Sequence, residues 1–259
     1  MPPLSLVSWN VNSIRAREER VLAFLARHSP DIVCLQETKV TDDLFPVDLI
    51  ADAGYHAVFH GQKTYNGVAI LSREPAENVL AGLPGDTADV EARLIAADVA
   101  GLRVVDIYVP NGKSVSDEVK YPYKLAWLER LRVFLQAEIA SGKPLALCGD
   151  YNIAPTDDDA AYPERWADSV LCHHKVREAF QGLTALGLHD AVLHHANPPP
   201  MSWWDYRRLA FPKGDGLRID HILVTEPALK RSVGALVDRD ERKGTTPSDH
   251  APVFVYFDR

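Results

Sequence analysis

The sequence predicts a mixed-sheet α/β domain built in layers. Short apolar runs of strand length outnumber amphipathic helical stretches, and they are joined in two ways: some by tight turns as hairpins, others through an intervening helix. They recur along all 259 residues with no linker-like stretch between them, so a single domain over 1–259 is expected. Residues 145–155, Leu-Ala-Leu-Cys-Gly-Asp-Tyr-Asn-Ile-Ala-Pro, carry the pattern that organises the rest. The apolar run is entered through Pro144 and closed by Gly149, as a buried strand is. Asp150 and Asn152 follow two residues apart, on one side of the chain if it stays extended. They stand at a strand end, where α/β sheets carry their chemistry.

In chain order, residues 4–9 form an apolar strand that stops at Asn10-Val11-Asn12. Residues 17–28 place Val21, Leu22, Phe24 and Leu25 among charges, a helical pattern ended by Ser29-Pro30. Residues 31–35 are a second buried strand, running into Gln36-Glu37-Thr38-Lys39. Strands at 55–60 and 67–72 flank a turn at 61–66, and 94–99 with 102–109 makes a hairpin across Ala100-Gly101. Residues 121–139 are an amphipathic helix with Leu125, Leu128, Leu131, Phe134 and Leu135 as its core face. A helix over 175–186 stops at Gly187. A strand over 217–224 bears Asp220 and His221 in its middle, and 253–257 is the last strand, just after Ser248-Asp249-His250.

A chain of this length can bury roughly 75% of its unfolded surface, so a sizeable core is available. Cys34, Cys148 and Cys172 are far apart and match no zinc spacing; they read as reduced, structural thiols. No signal peptide and no membrane-length apolar run is present, which predicts a soluble, cytoplasmic protein without membrane contact. The net charge of −8 argues against a protein that simply coats a polyanion. Carboxylates gathered around a divalent cation are locally neutralised, however, and leave lysines and arginines free to form a basic rim.

Four strand ends offer Asn10, Glu37, Asp150 with Asn152, and Asp249 with His250. Carboxylates and amides are hard oxygen ligands suited to Mg2+ or Mn2+ rather than zinc. Glu37 and Asp249 suffice for magnesium, with Asn10 nearby. In a second device Asp220 orients His250 and raises its pKa, so that a strongly donating ring faces a phosphate. Asp150, held by Asn152, is placed to take a proton from an attacking water, and Tyr108 to donate to the phosphate or leaving group. The pairs His173-His174 and His194-His195 lack a third ligand and read as surface residues. In the acidic run 157–159, Asp159 is kept as a support residue.

Taken together, Ser-Trp-Asn-Val-Asn-Ser-Ile-Arg-Ala (8–16), Leu-Gln-Glu-Thr-Lys (35–39), Asn-Gly-Val-Ala-Ile-Leu-Ser (66–72), Tyr-Val-Pro-Asn-Gly (108–112), Gly-Asp-Tyr-Asn-Ile-Ala-Pro (149–155), Trp-Trp-Asp-Tyr-Arg (203–207), Gly-Leu-Arg-Ile-Asp (216–220) and Ser-Asp-His-Ala-Pro-Val (248–253) form an ordered set. The set resembles the exonuclease III branch of the endonuclease/exonuclease/phosphatase superfamily from end to end. The resemblance implies a four-layered sandwich of two packed mixed β-sheets flanked by helices. It implies a monomeric, Mg2+-dependent enzyme, with Mn2+ as a substitute, that cuts duplex DNA 5′ to abasic sites and trims 3′ ends.

Carried over by residue, Glu37 is the principal metal ligand with Asn10 and Asp249 near it, and Asp150, Asn152 and His250 complete the metal-facing set. Tyr108, Asp150, Asn152, Asp220 and His250 are the catalytic group. Arg15, Tyr65, Asn111, Lys113, Trp203, Leu217 and Arg218 face DNA, Trp203 as an aromatic wall of the abasic-sugar pocket. Where some members place a tryptophan before Arg-Ile-Asp, this chain has Leu217, which implies a differently shaped pocket. A cavity walled by Trp203, Leu217 and Ile219 would admit a flipped sugar and exclude a normal nucleotide. Binding is then expected to rest on phosphate contacts and to depend on salt.

Overall fold

The computed structural model describes residues 2–85 and 89–259. In chain order the strands are β1 (Leu4–Asn10), β2 (Ile32–Gln36), β3 (His56–His60), β4 (Val68–Ser72), β5 (Glu77–Ala81), β6 (Leu94–Val99), β7 (Leu102–Tyr108), β8 (Leu145–Asp150), β9 (Leu188–Asp190), β10 (Asp220–Thr225), β11 (Ser232–Val237) and β12 (Val253–Phe257). The helices are α1 (Glu18–His28), α2 (Val47–Asp52), α3 (Lys120–Ala140), α4 (Pro163–Trp166), α5 (His174–Thr184), α6 (Ala191–His195), α7 (Ala210–Lys213) and α8 (Glu226–Leu229). Among the described residues no helix is long and apolar enough to cross a membrane.

The strands form two six-stranded sheets, ordered β11-β12-β1-β2-β4-β3 and β5-β6-β7-β8-β10-β9. Both are mixed: β1 runs parallel to β2 and β7 parallel to β8, and the other pairings are antiparallel. Side-chain alternation assigns each strand's residues to two layers. On β1, Leu4 and Leu6 enter a core that also holds Ile32, Ile70, Val104, Cys148 and Ile222, so this layer lies between the sheets. Val7 and Trp9 point the other way, to Phe24 and Leu25 of α1. On the second sheet, Val105, Ile107 and Leu147 meet Trp127 and Leu131 of α3 and Phe180 of α5. The order is therefore helices, sheet, sheet, helices, the four layers that the motif set implied. Each fully buried Leu, Ile or Phe contributes about 1.5–3 kcal/mol over exposure. With both faces of each sheet covered, the inner strands read as unbroken apolar runs rather than alternating ones.

Several boundaries differ from expectation. Ser29 turns left-handed (φ 47°) and its N–H caps Leu25, so α1 ends before Pro30 as expected. On α3, Leu128, Leu131 and Leu135 are buried as expected, while Lys124 and Trp127 are also turned inward and Leu125 and Phe134 are only half-buried at the edge of that face. The expected strand over 217–224 begins only at Asp220; Leu217 makes isolated bridges to Ala160 and Trp203 instead. Strands β5, β9 and β11 were not expected. The first and third are exposed or half-buried edge segments, and β9 is three residues long, so none carries a strong apolar signal. All three cysteines are buried free thiols, and burial pushes the Cys34 and Cys172 thiols up in pKa.

Candidate active site

The register brings the strand ends together. Asn10 pairs with Gln36 across the parallel β1/β2 ladder, which places Glu37 one residue beyond. In the second sheet Asp150 is flanked by Tyr108 on one side and Asp220 on the other. Gly149 permits the latter arrangement: a Cβ there would collide with the Ile107 carbonyl of the neighbouring strand. Glu37 and Asn152 then adopt left-handed backbone conformations (φ 53° and 50°), kinks that aim polar groups across the gap between sheets.

Asn10 links the two halves. Its Nδ2 donates to Glu37 Oε1 (2.8 Å) and Asp150 Oδ2 (3.0 Å), while its Oδ1 accepts from Asn12 N–H (3.0 Å). It therefore faces the carboxylates with its amide N–H rather than with the oxygen a metal would take. Asp150 also accepts Asn152 N–H at 2.8 Å. Burial raises the Asp150 pKa to about 7, with Asp220 and Glu37 adding to the rise and His250 opposing it.

His250 donates Nδ1–H to Asp220 at 2.9 Å, and its Nε2 lies 3.6 Å from Asp150 Oδ2. Burial by itself would lower its pKa; the carboxylates of Asp220 and Asp150 override that and hold it at about 10. Asp220 is fixed in turn by Ser202 Oγ–H at 2.6 Å. Burial raises the Tyr108 pKa well above its usual value, and Glu37 and Asp150 push it further. The hydroxyl therefore stays protonated and able to donate, and the Arg93 guanidinium lies 4.9 Å over the ring centre.

Glu37, Asp150 and His250 offer ligand atoms that all lie within 4.8 Å of one another. The two carboxylates suit a hard divalent cation. Carboxylate oxygens are harder donors than an imidazole nitrogen, so the set that fits such a cation is Glu37 and Asp150, while His250, pushed toward its charged form by two carboxylates, is placed to donate to anions. Asp249 stands outside this group: its oxygens accept Asn12 Nδ2–H and Trp203 Nε1–H, both at 3.0 Å. Burial would raise its pKa, but His250 and those bonds hold it below the usual value.

The residues expected to face DNA divide into three groups. Tyr65 (67% exposed), Asn111 and Lys113 line a cleft of about 510 Å³ beside Tyr108, together with Arg93, Lys120 and Tyr123. Arg15 is exposed in a separate cleft beside Arg20 and Glu241. Arg218 and Leu217 are corrections. Arg218 is 1% exposed and ion-paired to Asp159 (2.6 Å) and Asp190 (2.5 Å), so it cannot reach a ligand. Leu217 and Ile219 are buried in the helix-facing core. Of the three expected pocket walls, only Trp203 reaches the surface.

Several partners of the site escaped the sequence reading. Lys39 donates to Glu37 Oε2 (2.7 Å) and Asn12 Oδ1 (2.6 Å), and Ser248 Oγ–H donates to the Asn10 carbonyl (2.6 Å). These three lie inside the motif stretches, two residues from Glu37, Asn10 and His250, and that spacing was their signal. Trp166 packs edge-on against Trp203 at 5.6 Å. Trp166, Arg93 and Lys124 had no signal, because each meets the site through a fold contact far away in sequence.

Comparison with known proteins agrees with this geometry. A model of the endonuclease/exonuclease/phosphatase family matches residues 7–250. The chain is 35% identical over 266 residues to exodeoxyribonuclease III of Haemophilus influenzae, covering 98% of this chain and 100% of that protein. Among solved structures, an AP endonuclease from Archaeoglobus fulgidus superposes with TM-score 0.94 at 40% identity, covering 99% of this chain and 100% of that one. A 3′ phosphatase from Neisseria bound to a product DNA hairpin gives TM-score 0.96 at 41% identity, with the same coverage. Four layers, paired carboxylates between two sheets and an end-to-end match place this chain in the endonuclease/exonuclease/phosphatase family, in its exonuclease III branch.

Proposed function

We propose that the chain is a divalent-metal-dependent DNA repair phosphodiesterase, one catalytic domain acting as a monomer, that cuts duplex DNA 5′ to abasic sites and trims 3′ ends. The observation that carries this reading is the clustering of half-buried Glu37 with buried Asp150 and the buried, Asp220-paired His250. Glu37 and Asp150 would hold Mg2+, with Mn2+ as a substitute, and the cation would draw charge from the phosphodiester. Asp150, kept ionised by a cation held beside it, would accept the proton of the attacking water, which Asn152 helps to orient. The His250 imidazolium and the Tyr108 hydroxyl donate to the phosphate oxygens and the leaving group. Arg15, Tyr65, Asn111 and Lys113 contact the backbone, and Trp203 backs the sugar.

A second reading, predominantly a 3′-5′ exonuclease, is favoured by one feature. With Leu217 and Ile219 buried and Trp166 leaning on Trp203, the sugar pocket has one aromatic corner instead of three walls. The test is a labelled duplex with one central abasic site, with magnesium and with chelator, beside an intact duplex with a recessed 3′ end. A single magnesium-dependent cut 5′ to the lesion supports the endonuclease. A ladder from the 3′ end with the lesion uncut makes the second reading the function, and cleavage of neither DNA refutes both.

A further inference from the structure

We propose that Lys124 is a positioning residue of this centre: its buried side chain bridges the backbones of the two loops that carry Asn111 and Asn152, and so sets where Asn152 stands against Asp150. This rests on the phosphodiesterase reading above. Lys124 comes from the first turns of α3 and is completely buried. Its Nζ donates to the Asn152 carbonyl at 2.6 Å and to the Asn111 carbonyl at 3.2 Å. It makes no ion pair among the described residues.

Burial drives the Lys124 pKa down to about 7, with the Asp150 carboxylate opposing the fall only in part, and a methionine of similar length would fill the space without the cost of burying an amine. Packing therefore does not explain the lysine. The backbone does. Asn152 sits at φ 50°, and in that conformation its N–H points to Asp150 Oδ1 at 2.8 Å while its carbonyl turns into the protein, away from water. A carbonyl buried there needs a donor. Lys124 supplies one, and with its next proton it holds the Asn111 loop against the first.

The two loops are also joined side chain to side chain, Asn111 Nδ2 donating to Asn152 Oδ1 at 2.9 Å, with Asn152 Nδ2 donating to the Val109 carbonyl at 3.0 Å. Gly112 (φ 85°) lets the loop pass directly over the lysine stem, since a Cβ there would stand 3.0 Å from Lys124 Cδ. Lys124 thus touches no reacting atom. It governs the pose of Asn152, whose N–H is one of the bonds that holds Asp150.

The test compares full-length wild type, Lys124→Met and Lys124→Gln in three measurements: steady-state kinetics on the DNA that the wild type cuts, duplex binding in chelator, and thermal melting. Lys124→Met trades the cost of burying an amine against two loop carbonyls left without a donor, so it is expected to melt within a few degrees of wild type and to bind duplex normally. Its kcat should fall about 10- to 100-fold with KM within about twofold, the pattern of lost pre-organisation. Lys124→Gln, which keeps a donor for a carbonyl, should recover part of that loss. If Lys124→Met does not fold, a several-fold kcat loss in Lys124→Gln at unchanged KM and melting temperature supports the proposal. A wild-type kcat in either folded variant overturns it, as does a kcat loss that merely tracks a lowered melting temperature. Wild type that cuts no DNA refutes the functional reading instead. The variants are then compared on whichever phosphoester the wild type hydrolyses.

Discussion

At His250 burial and charge pull in opposite directions, and charge wins because two carboxylates face one ring in a dry site. The consequence is a pH window. Burial holds Asp150 near 7 and a cation held beside it would lower that value, so the low-pH limb should move down as magnesium is raised, while His250 ceases to be an imidazolium as pH rises through about 10. A bell-shaped profile of kcat/KM bounded by those two limbs is expected. Asp220→Asn removes the nearest charge holding the His250 proton, so the upper limb should move to lower pH; a pH–rate profile that keeps its upper limb would refute the pairing. Glu37 carries a different load. Glu37→Ala is expected to weaken magnesium dependence, measured as the metal concentration at half-maximal rate, and to lower turnover about 100-fold or more. Wild-type turnover would remove its assignment as ligand.

Arg218 acts at the scale of elements. Its guanidinium joins the turn at Asp159, the end of β9 at Asp190 and the ring of His221 on β10 (3.0 Å), and His221 Nε2–H donates to the Ile153 carbonyl at 2.9 Å. Burial would raise the Asp190 pKa, yet His221 and Arg218 hold it far below the usual carboxylate range. Asp190 also caps α6 through the N–H groups of Val192 and Leu193. The segment after Asn152 is therefore strapped to the strand that carries Asp220, and the strap is an ion network rather than a DNA contact. Arg218→Met would strand two buried carboxylates and is expected to cost about 3–5 kcal/mol, read by urea denaturation, with duplex affinity of the folded fraction unchanged. Intact stability with lost affinity would restore Arg218 to the DNA face.

Over the whole molecule a net charge of −8 must be reconciled with a polyanionic substrate. The fold does so by segregation. Glu37, Asp150, Asp220 and Asp249 are drawn together at the strand ends, while the adjoining cleft is lined, among the described residues, by Lys113, Lys120 and Arg93 with a single carboxylate, Glu91, paired to Arg93. Duplex affinity is expected to fall steeply with salt despite the acidic total, since counterion release depends on local phosphate contacts. Lys113 is exposed and, among the described residues, ion-paired only with Asp117 at 3.0 Å. Lys113→Ala should weaken binding and lower the slope of log K against log salt by about 1; an unchanged slope would take Lys113 off the DNA path.

The polar residues at the strand ends were legible in sequence because each adjoins an apolar run that is buried on both faces, where the chain turns from apolar to polar. Glu37, Asp150, Asn152 and the Ser-Asp-His stretch announce themselves in that way, and their order along the chain suffices to indicate the family. Register was not legible. Only the packed sheets bring Asp220 opposite Asp150 and Asn10 between two carboxylates, because pairing across 27 to 140 residues leaves no local trace. Burial of charge was equally silent: Arg218 reads as a DNA-facing group, and nothing in the helical pattern of 121–139 marks Lys124 as buried. A charged side chain is buried only when the fold supplies its partners. Those partners, Asp159 and Asp190 for the arginine and two loop carbonyls for the lysine, come from elements that meet only in three dimensions.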